Sequence, residues 1–393
     1  MSKKYCIFLS ALFCAFIGLF LAANALSPDA EFSQMENRYL QQLPVPSLET
    51  VLNGSFMAEF ETYVTDQFVG RDSWISAKSR TEKLLGKREN NGVYFCQKDT
   101  LITRFDTPDE KKLAANLSYV EQFAQKAPAP AYFSLIPTQA CIWADRLPDG
   151  APNASQPDVL NQAINSVPSA IWADLYAPLA AHAGEDIFYR TDHHWTSLGA
   201  YYGYTALCEA MGLTPIPLSD YSKTTVTEDF YGTVFSSSGV RWVRPDSIDI
   251  YVPDDGITVT SHTFDAQGQP VEEARALYDF SYLEVKDKYS MFLGGNQPLG
   301  VVKNANNPDG PRLLIIRDSY ADSLVPFLTP HFSEIHLLDL RYYKLSIADY
   351  IAQNLPMRTG DKQVILEELR PVRRLERLYQ ILRREVEILE LEH

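Results

Sequence analysis

Two apolar runs of strand length constrain this chain most: Ala131-Tyr132-Phe133-Ser134-Leu135-Ile136 and Leu313-Leu314-Ile315-Ile316. Both are near-continuous rather than alternating, as in strands covered on both faces, and both stop abruptly, at Pro137 and at Arg317-Asp318-Ser319. Around and between them lie segments of helical and strand period. Helices are expected over 113–125, 159–167 and 179–183, and strands over 171–175, 187–189, 335–338 and 364–366. This alternation predicts an α/β fold with a mostly parallel sheet. From Thr214 to Asn296 the texture shifts to Thr, Ser, Val, Asp and Gly in short alternations, such as Ser247-Ile248-Asp249-Ile250-Tyr251-Val252, which predicts a β-rich insertion of antiparallel strands.

Charge narrows the partners. Lys+Arg 35 against Asp+Glu 50 leaves a net charge of −15, which repels phosphate backbones and predicts no nucleic-acid partner. With 46% hydrophobic and 12% aromatic residues, the chain has the material for a sizeable core.

The N-terminus reads Met-Ser-Lys-Lys and then runs from Tyr5 to Ala23 without a charge, the pattern of an export signal. Residues 1–25 are therefore a signal peptide or membrane anchor. Ala23-Asn24-Ala25 offers a cleavage pattern, but the apolar run exceeds the usual h-region of about 7–15 residues, which favours a retained or slowly cleaved anchor. The bulk of the chain then lies outside the cytoplasm, membrane-associated or secreted. Helices are expected from Leu48 to Leu85 with a break near Gly70, followed by a small hairpin around Lys98-Asp99. Of five cysteines, Cys96, Cys141 and Cys208 fall in the folded part; a Cys96 to Cys141 bridge is allowed but not deducible.

Residues 26–366 are expected to form the main domain, and 367–393 an amphipathic C-terminal helix rich in Arg, Glu and Leu. That helix reads as docked on the sheet, with a partner-binding helix or a tag remnant at Leu391-Glu392-His393 as alternatives.

The densest chemistry is Tyr189-Arg190-Thr191-Asp192-His193-His194-Trp195-Thr196. Strand alternation would send Asp192 and His194 to one side and His193 to the other. A carboxylate beside an imidazole fixes the tautomer that removes a hydroxyl proton. Alone, Asp-His-His is equally a metal-site fragment or a structural turn, although no further metal-ligand spacing accompanies it. Arg317-Asp318-Ser319-Tyr320 adds a serine at the end of a buried strand, where its own N–H and a helix N-terminus can stabilise an oxyanion; alone, it is also an ordinary cap. Together these segments hold every part of a Ser-His-Asp acyl-transfer site.

Asp192-His193-His194-Trp195, together with Arg317-Asp318-Ser319-Tyr320-Ala321 and Asp339-Leu340-Arg341-Tyr342-Tyr343, resembles the bacterial DHHW proteins, and Glu36-Asn37-Arg38 and Asp66-Gln67-Phe68 to Arg71 match as well. The likeness runs from about residue 30 to 345. DHHW proteins are in turn similar to periplasmic alginate O-acetyltransferases. The resemblance implies an SGNH-hydrolase-like three-layer fold, circularly permuted so that Asp-x-His precedes the serine block. It also implies Ser319 as nucleophile, His194 as base and Asp192 as orienting acid. Arg317 stands where that family has glycine, positioned to bind an anionic group or seal the site. Gly294-Gly295-Asn296 is the candidate oxyanion segment, with Gly295 and Asn296 as donors.

Trp195 is a candidate for stacking on a sugar, with a core role as the alternative. Tyr320 and Arg341 are candidate substrate contacts, and His193 is expected to be a structural hydrogen-bonder. The reading that follows is an extracytoplasmic serine-dependent O-acetyltransferase acting on a cell-surface or secreted polysaccharide, served by a membrane acetyl-donor partner and needing neither cofactor nor metal. A carbohydrate acetyl-esterase and a non-catalytic glycan-binding envelope scaffold are the alternatives.

Overall fold

The structure, a computed structural model, describes residues 3–264, 270–355 and 363–369. Its contacts divide the chain into two units, Met1–Asn91 with Phe235–Trp242, and Gly92–Val234 with Val243–His393.

The first unit is helical: α1 (Lys3–Leu26), α2 (Leu48–Leu52), α3 (Ser55–Asp66) and α4 (Arg71–Leu84). Breaks fall at Gly54 and Gly70, whose φ of 81° and 69° lie in the left-handed region that glycine enters without a Cβ penalty. The two N-terminal sequence motifs meet here. Arg38 bonds Asp66 at 2.6 Å and Glu36 at 2.6 Å, and Arg71 reaches Glu36 at 2.8 Å. The hydrogen bond from Arg38 outweighs burial and lowers the Asp66 pKa. By length and composition α1 can cross a membrane, and none of it is buried.

In the second unit the expected hairpin pairs Val93–Cys96 with Thr100–Thr103, turning through Lys98 and Asp99 at positive φ. Eight strands build the main sheet: β1 (Ala131–Leu135), β2 (Ile171–Trp172), β3 (Ile257–Phe264), β4 (Pro270–Arg275), β5 (Leu299–Asn304), β6 (Arg312–Ile316), β7 (Glu334–Leu338) and β8 (Gln363–Leu369). Their spatial order is β4-β3-β5-β7-β6-β8-β1-β2. From β7 to β2 neighbours run parallel, and from β7 through β5 and β3 to β4 they run antiparallel. The main sheet is thus mixed, with four parallel and three antiparallel pairings, which corrects the expectation of a mostly parallel one; with the separate small sheets included, antiparallel ladders outnumber parallel ones among the described residues. Hairpin-linked strands need no crossover helix, so the polar alternating stretch extends the sheet edge through β3 and β4. A separate antiparallel pair, Thr224–Phe230 with Asp246–Ile250, accounts for the rest of the β-rich stretch.

β6 is the centre of the core. Leu313, Leu314 and Ile315 are inaccessible to solvent, as the continuous apolar run requires, and truncating any one to Ala would cost about 2–5 kcal/mol. Helices α5 (Glu110–Lys126) and α6 (Gln156–Ser166) contact each other, as do α7 (Ser197–Met211) and α8 (Ala321–Leu328).

Three local expectations change. Ile187–Tyr189 is not a strand but contributes one bridge, Phe188 to Trp195, because the chain turns straight back. Cys96 and Cys141 carry free thiols rather than a bridge. Residues 367–369 belong to β8, and the remainder of the expected C-terminal helix lies outside the described residues.

Candidate active site

The loop between Phe188 and Trp195 is held at every turn. Tyr189 N–H donates to the His194 carbonyl at 3.2 Å and Thr196 N–H to the Ile187 carbonyl at 2.9 Å. Gln139, just past β1, donates its side-chain amide to the carbonyls of Tyr189 (2.5 Å) and Asp192 (2.7 Å). The Asp246 carboxylate accepts the N–H groups of Arg190 (3.0 Å) and Thr191 (2.8 Å). The Tyr320 hydroxyl donates to the His193 carbonyl. A buried loop whose polar groups are met in this way keeps one conformation.

Within that frame Asp192 Oδ1 accepts the His194 Nδ1–H at 2.5 Å and the His194 N–H at 2.9 Å. Its other oxygen accepts the Thr233 N–H at 2.7 Å and the Thr233 hydroxyl at 3.0 Å. Burial alone would raise the Asp192 pKa. The charges of His193 and His194, with these hydrogen bonds, outweigh it and hold the carboxyl well below its usual range. The second imidazole nitrogen, His194 Nε2, lies 2.8 Å from Ser319 Oγ, although the two residues are 125 positions apart.

Ser319 follows β6 directly and precedes α8. Arg317 N–H donates to the Leu338 carbonyl at 2.9 Å, tying the segment to the end of β7. The structure therefore brings Asp192, His194 and Ser319 into one hydrogen-bonded line beyond the C-terminal end of β6. Such a line can pass a proton from the hydroxyl to the imidazole while the carboxylate stabilises the resulting cation. Ser319 and His194 are only 7% and 5% exposed. The groove of about 860 Å³ lined by Arg190, Asp246 and Tyr251 includes neither of them.

Other expected residues divide. His193 bonds Thr233 Oγ1 through Nδ1 at 2.5 Å, as a structural hydrogen-bonder should. Asp192, His193 and His194 bring ligand atoms within 4.8 Å of one another, but the carboxylate oxygens and both Nδ1 atoms already hold the bonds above, which a cation would have to break. Of its two expected roles Trp195 takes the core one and not that of a sugar platform: it is fully buried and donates to the Tyr320 carbonyl (2.9 Å) and Ser323 Oγ (3.0 Å). Tyr320 is buried with its hydroxyl spent on the loop, so it shapes the site rather than meeting a ligand. Arg317 is sealed inside against Asp322, 2.5 Å away, instead of facing an anion. Burial raises the Asp322 pKa to about 7; the Arg317 charge offsets part of the rise, and like charge on Asp339 and Asp318 adds to it. Arg341 forks onto the fully buried Asp339 at the end of β7 and donates to Asn296 Oδ1 at 2.7 Å. Asn296 is exposed, while Gly295 is buried with its N–H in a turn to Phe292.

Sequence reasoning missed Gln139, Thr233, Asp246 and Tyr289. The Tyr289 ring stacks on His194, and its hydroxyl donates to the Ser319 carbonyl at 3.0 Å. No local pattern marks these residues, because each acts through a partner distant in sequence.

The sequence profile described as DHHW protein matches residues 117–338, more than half of the chain. A crystal structure of a DHHW family protein from Eubacterium siraeum superposes with a TM-score of 0.58 at 30% identity, covering 71% of this chain and 91% of that one. Bacillus cereus PatB1 shares the fold with a TM-score of 0.56 at 20% identity, over 70% and 95% of the two chains. Among curated proteins, the probable alginate O-acetylase AlgJ of Pseudomonas syringae pv. tomato is 27% identical over 164 residues, which span 38% of this chain and 41% of that relative. With the profile covering Asp192 through Ser319 and a relative at 30% identity matched over most of its length, the chain belongs to the DHHW protein family.

Proposed function

We propose that this protein is an extracytoplasmic, membrane-anchored serine O-acetyltransferase that acetylates a polysaccharide. The observation that carries the reading is the contact of 2.8 Å between His194 Nε2 and Ser319 Oγ, backed by the Asp192 bond to Nδ1. His194 takes the Ser319 proton as Oγ attacks the carbonyl carbon of an acetyl donor. The tetrahedral intermediate collapses, the donor leaves with the proton held on His194, and acetyl-Ser319 remains. A sugar hydroxyl then gives its proton to His194 and attacks the acetyl carbon, and Ser319 recovers its proton. The oxyanion is met by the Ser319 N–H and the Asn296 amide, whose orientation Arg341 sets by donating to Oδ1.

Several features support the finer parts of this reading. Asp192 and His194 precede the serine strand in the chain, as in a permuted SGNH-like order, and helices alternate with the parallel strands along the chain. The name of the curated relative supports O-acetylation of a polysaccharide, and α1 supports anchoring with the bulk outside the cytoplasm. The net charge of −15 favours a neutral or cationic glycan as acceptor.

The test is to give the purified protein a chromogenic acetyl ester with and without neutral oligosaccharides and to look for acetylated sugar by mass spectrometry. Acetylated sugar is the expected result. Donor hydrolysis without it would make the protein an acetyl-esterase, and saturable glycan binding without donor turnover would make it a scaffold.

A further inference from the structure

We infer that the first unit is seated in the surface of a lipid bilayer, with Phe68 and Trp74 at headgroup depth beside α1. The inference rests on reading α1 as a retained anchor. That helix has 24 residues, about 36 Å at 1.5 Å per residue, against a hydrocarbon core of about 30 Å. Lys3 and Lys4 stand at one end and Asn24 marks the other. Phe20 lies one helical turn, roughly 6 Å, on the membrane side of Asn24.

Phe20 does not face lipid alone. Its ring stacks on Phe68 with centroids 5.7 Å apart and meets Trp74 at 5.8 Å; Phe68 comes from the α3–α4 turn and Trp74 from the first turn of α4. Asn24 Oδ1 accepts the Val69 N–H at 2.7 Å in the same turn. Whatever depth Phe20 takes, Phe68 and Trp74 share it. The chain leaving α1 allows no slack, because Tyr63 donates to Asp29 at 3.1 Å and the Gln67 amide bonds both the N–H and the carbonyl of Ala30 at 2.9 Å. Trp74 is nonetheless 51% exposed, an apolar ring with a polar N–H that suits the boundary between hydrocarbon and water. Lipid is the occupant the surface fits, because it continues from the exposed apolar residues of α1 itself, among them Ile17, Leu19 and Leu21.

The experiment uses the full chain in phosphatidylcholine vesicles, with its native cysteines changed to serine and an environment-sensitive fluorophore on a single new cysteine. Phe16→Cys reports on the anchor, and Ser73→Cys, which leaves both aromatic contacts intact, reports on the turn. Trp74→Cys repeats the second reading. Expected are strong quenching of the position 16 label by deeply brominated lipid, and loss of most of the position 73 emission to lipid brominated near the headgroup, with little quenching by aqueous iodide. Quenching at position 16 while position 73 stays open to iodide would overturn the inference and leave the anchor standing. No quenching by lipid at position 16 would remove the anchor reading, and the inference with it.

Discussion

The Tyr289 ring lies flat on the His194 imidazole, with centroids 3.9 Å apart and 8° between the planes, and its hydroxyl reaches the Ser319 carbonyl and Ser323. One side chain thus braces both the imidazole and the segment carrying the hydroxyl. Tyr289→Phe keeps the stack and loses about 1 kcal/mol of stability with a small loss in kcat. Tyr289→Leu frees the imidazole to tilt and lowers kcat roughly a hundredfold. Thermal melts and steady-state kinetics on the two variants separate these effects; equal kcat values would mean that the ring does not position His194.

Asp192 should leave a mark on acid stability. Its folded-state carboxyl is held well below the ordinary aspartate value of about 3.9, so its contribution is fully present above pH ~4 and is lost as pH falls through the folded value. Asp192→Asn removes that acid-side loss and, by leaving the imidazole in the wrong tautomer, cuts kcat roughly ten-thousandfold. Denaturant unfolding from pH 2 to 7 reads the first effect and ester turnover the second.

Asp322 behaves in the opposite sense. Its folded pKa of about 7 lies above the unfolded value, so the folded state binds the extra proton, and this group's contribution to stability falls as pH rises from about 4 to about 7. Asp322→Asn should flatten that fall. Arg317→Met strands a buried carboxylate and should cost about 3–5 kcal/mol at pH 8, and less at pH 5, where Asp322 carries a proton. A cost independent of pH would contradict the assignment.

Gly232 has no room for a side chain, since a Cβ there would run into the Asp192 carboxylate. Gly232→Ala should push that carboxylate off His194, lowering kcat at least tenfold at a stability cost of about 1–3 kcal/mol. Unchanged kinetics would show that the Asp192 contact is dispensable.

The buried strands were legible because their apolar runs are local: β1 and β6 lie where continuous hydrophobicity puts them. The pairing of Asp192 with His194 was also anticipated, but for the wrong reason. Strand alternation was invoked, whereas the residues sit in a turn where Asp192 folds back onto the His194 backbone N–H. The mixed sheet is not legible because Leu299–Asn304, a buried run like β6, pairs antiparallel with β3 and β7, neither of them its neighbour among the sheet's strands along the chain, and its composition does not announce that direction. For Trp195 and Arg317 the sequence leaves a ligand contact and a packing role both open, and the partners that decide it, Ser323 and Asp322, come from α8. Such contacts depend on tertiary geometry that short sequence windows do not carry.

The central claim is that Ser319 carries the acetyl group. Acid-quenched intact-protein mass spectrometry during turnover of a chromogenic acetyl ester, followed by peptide mapping, tests it most directly. The account predicts one acetyl group on the peptide holding Ser319, absent in Ser319→Ala, whose turnover falls roughly ten-thousandfold or more while its melting temperature holds. An acetyl group on another residue, or undiminished turnover by Ser319→Ala, would contradict it.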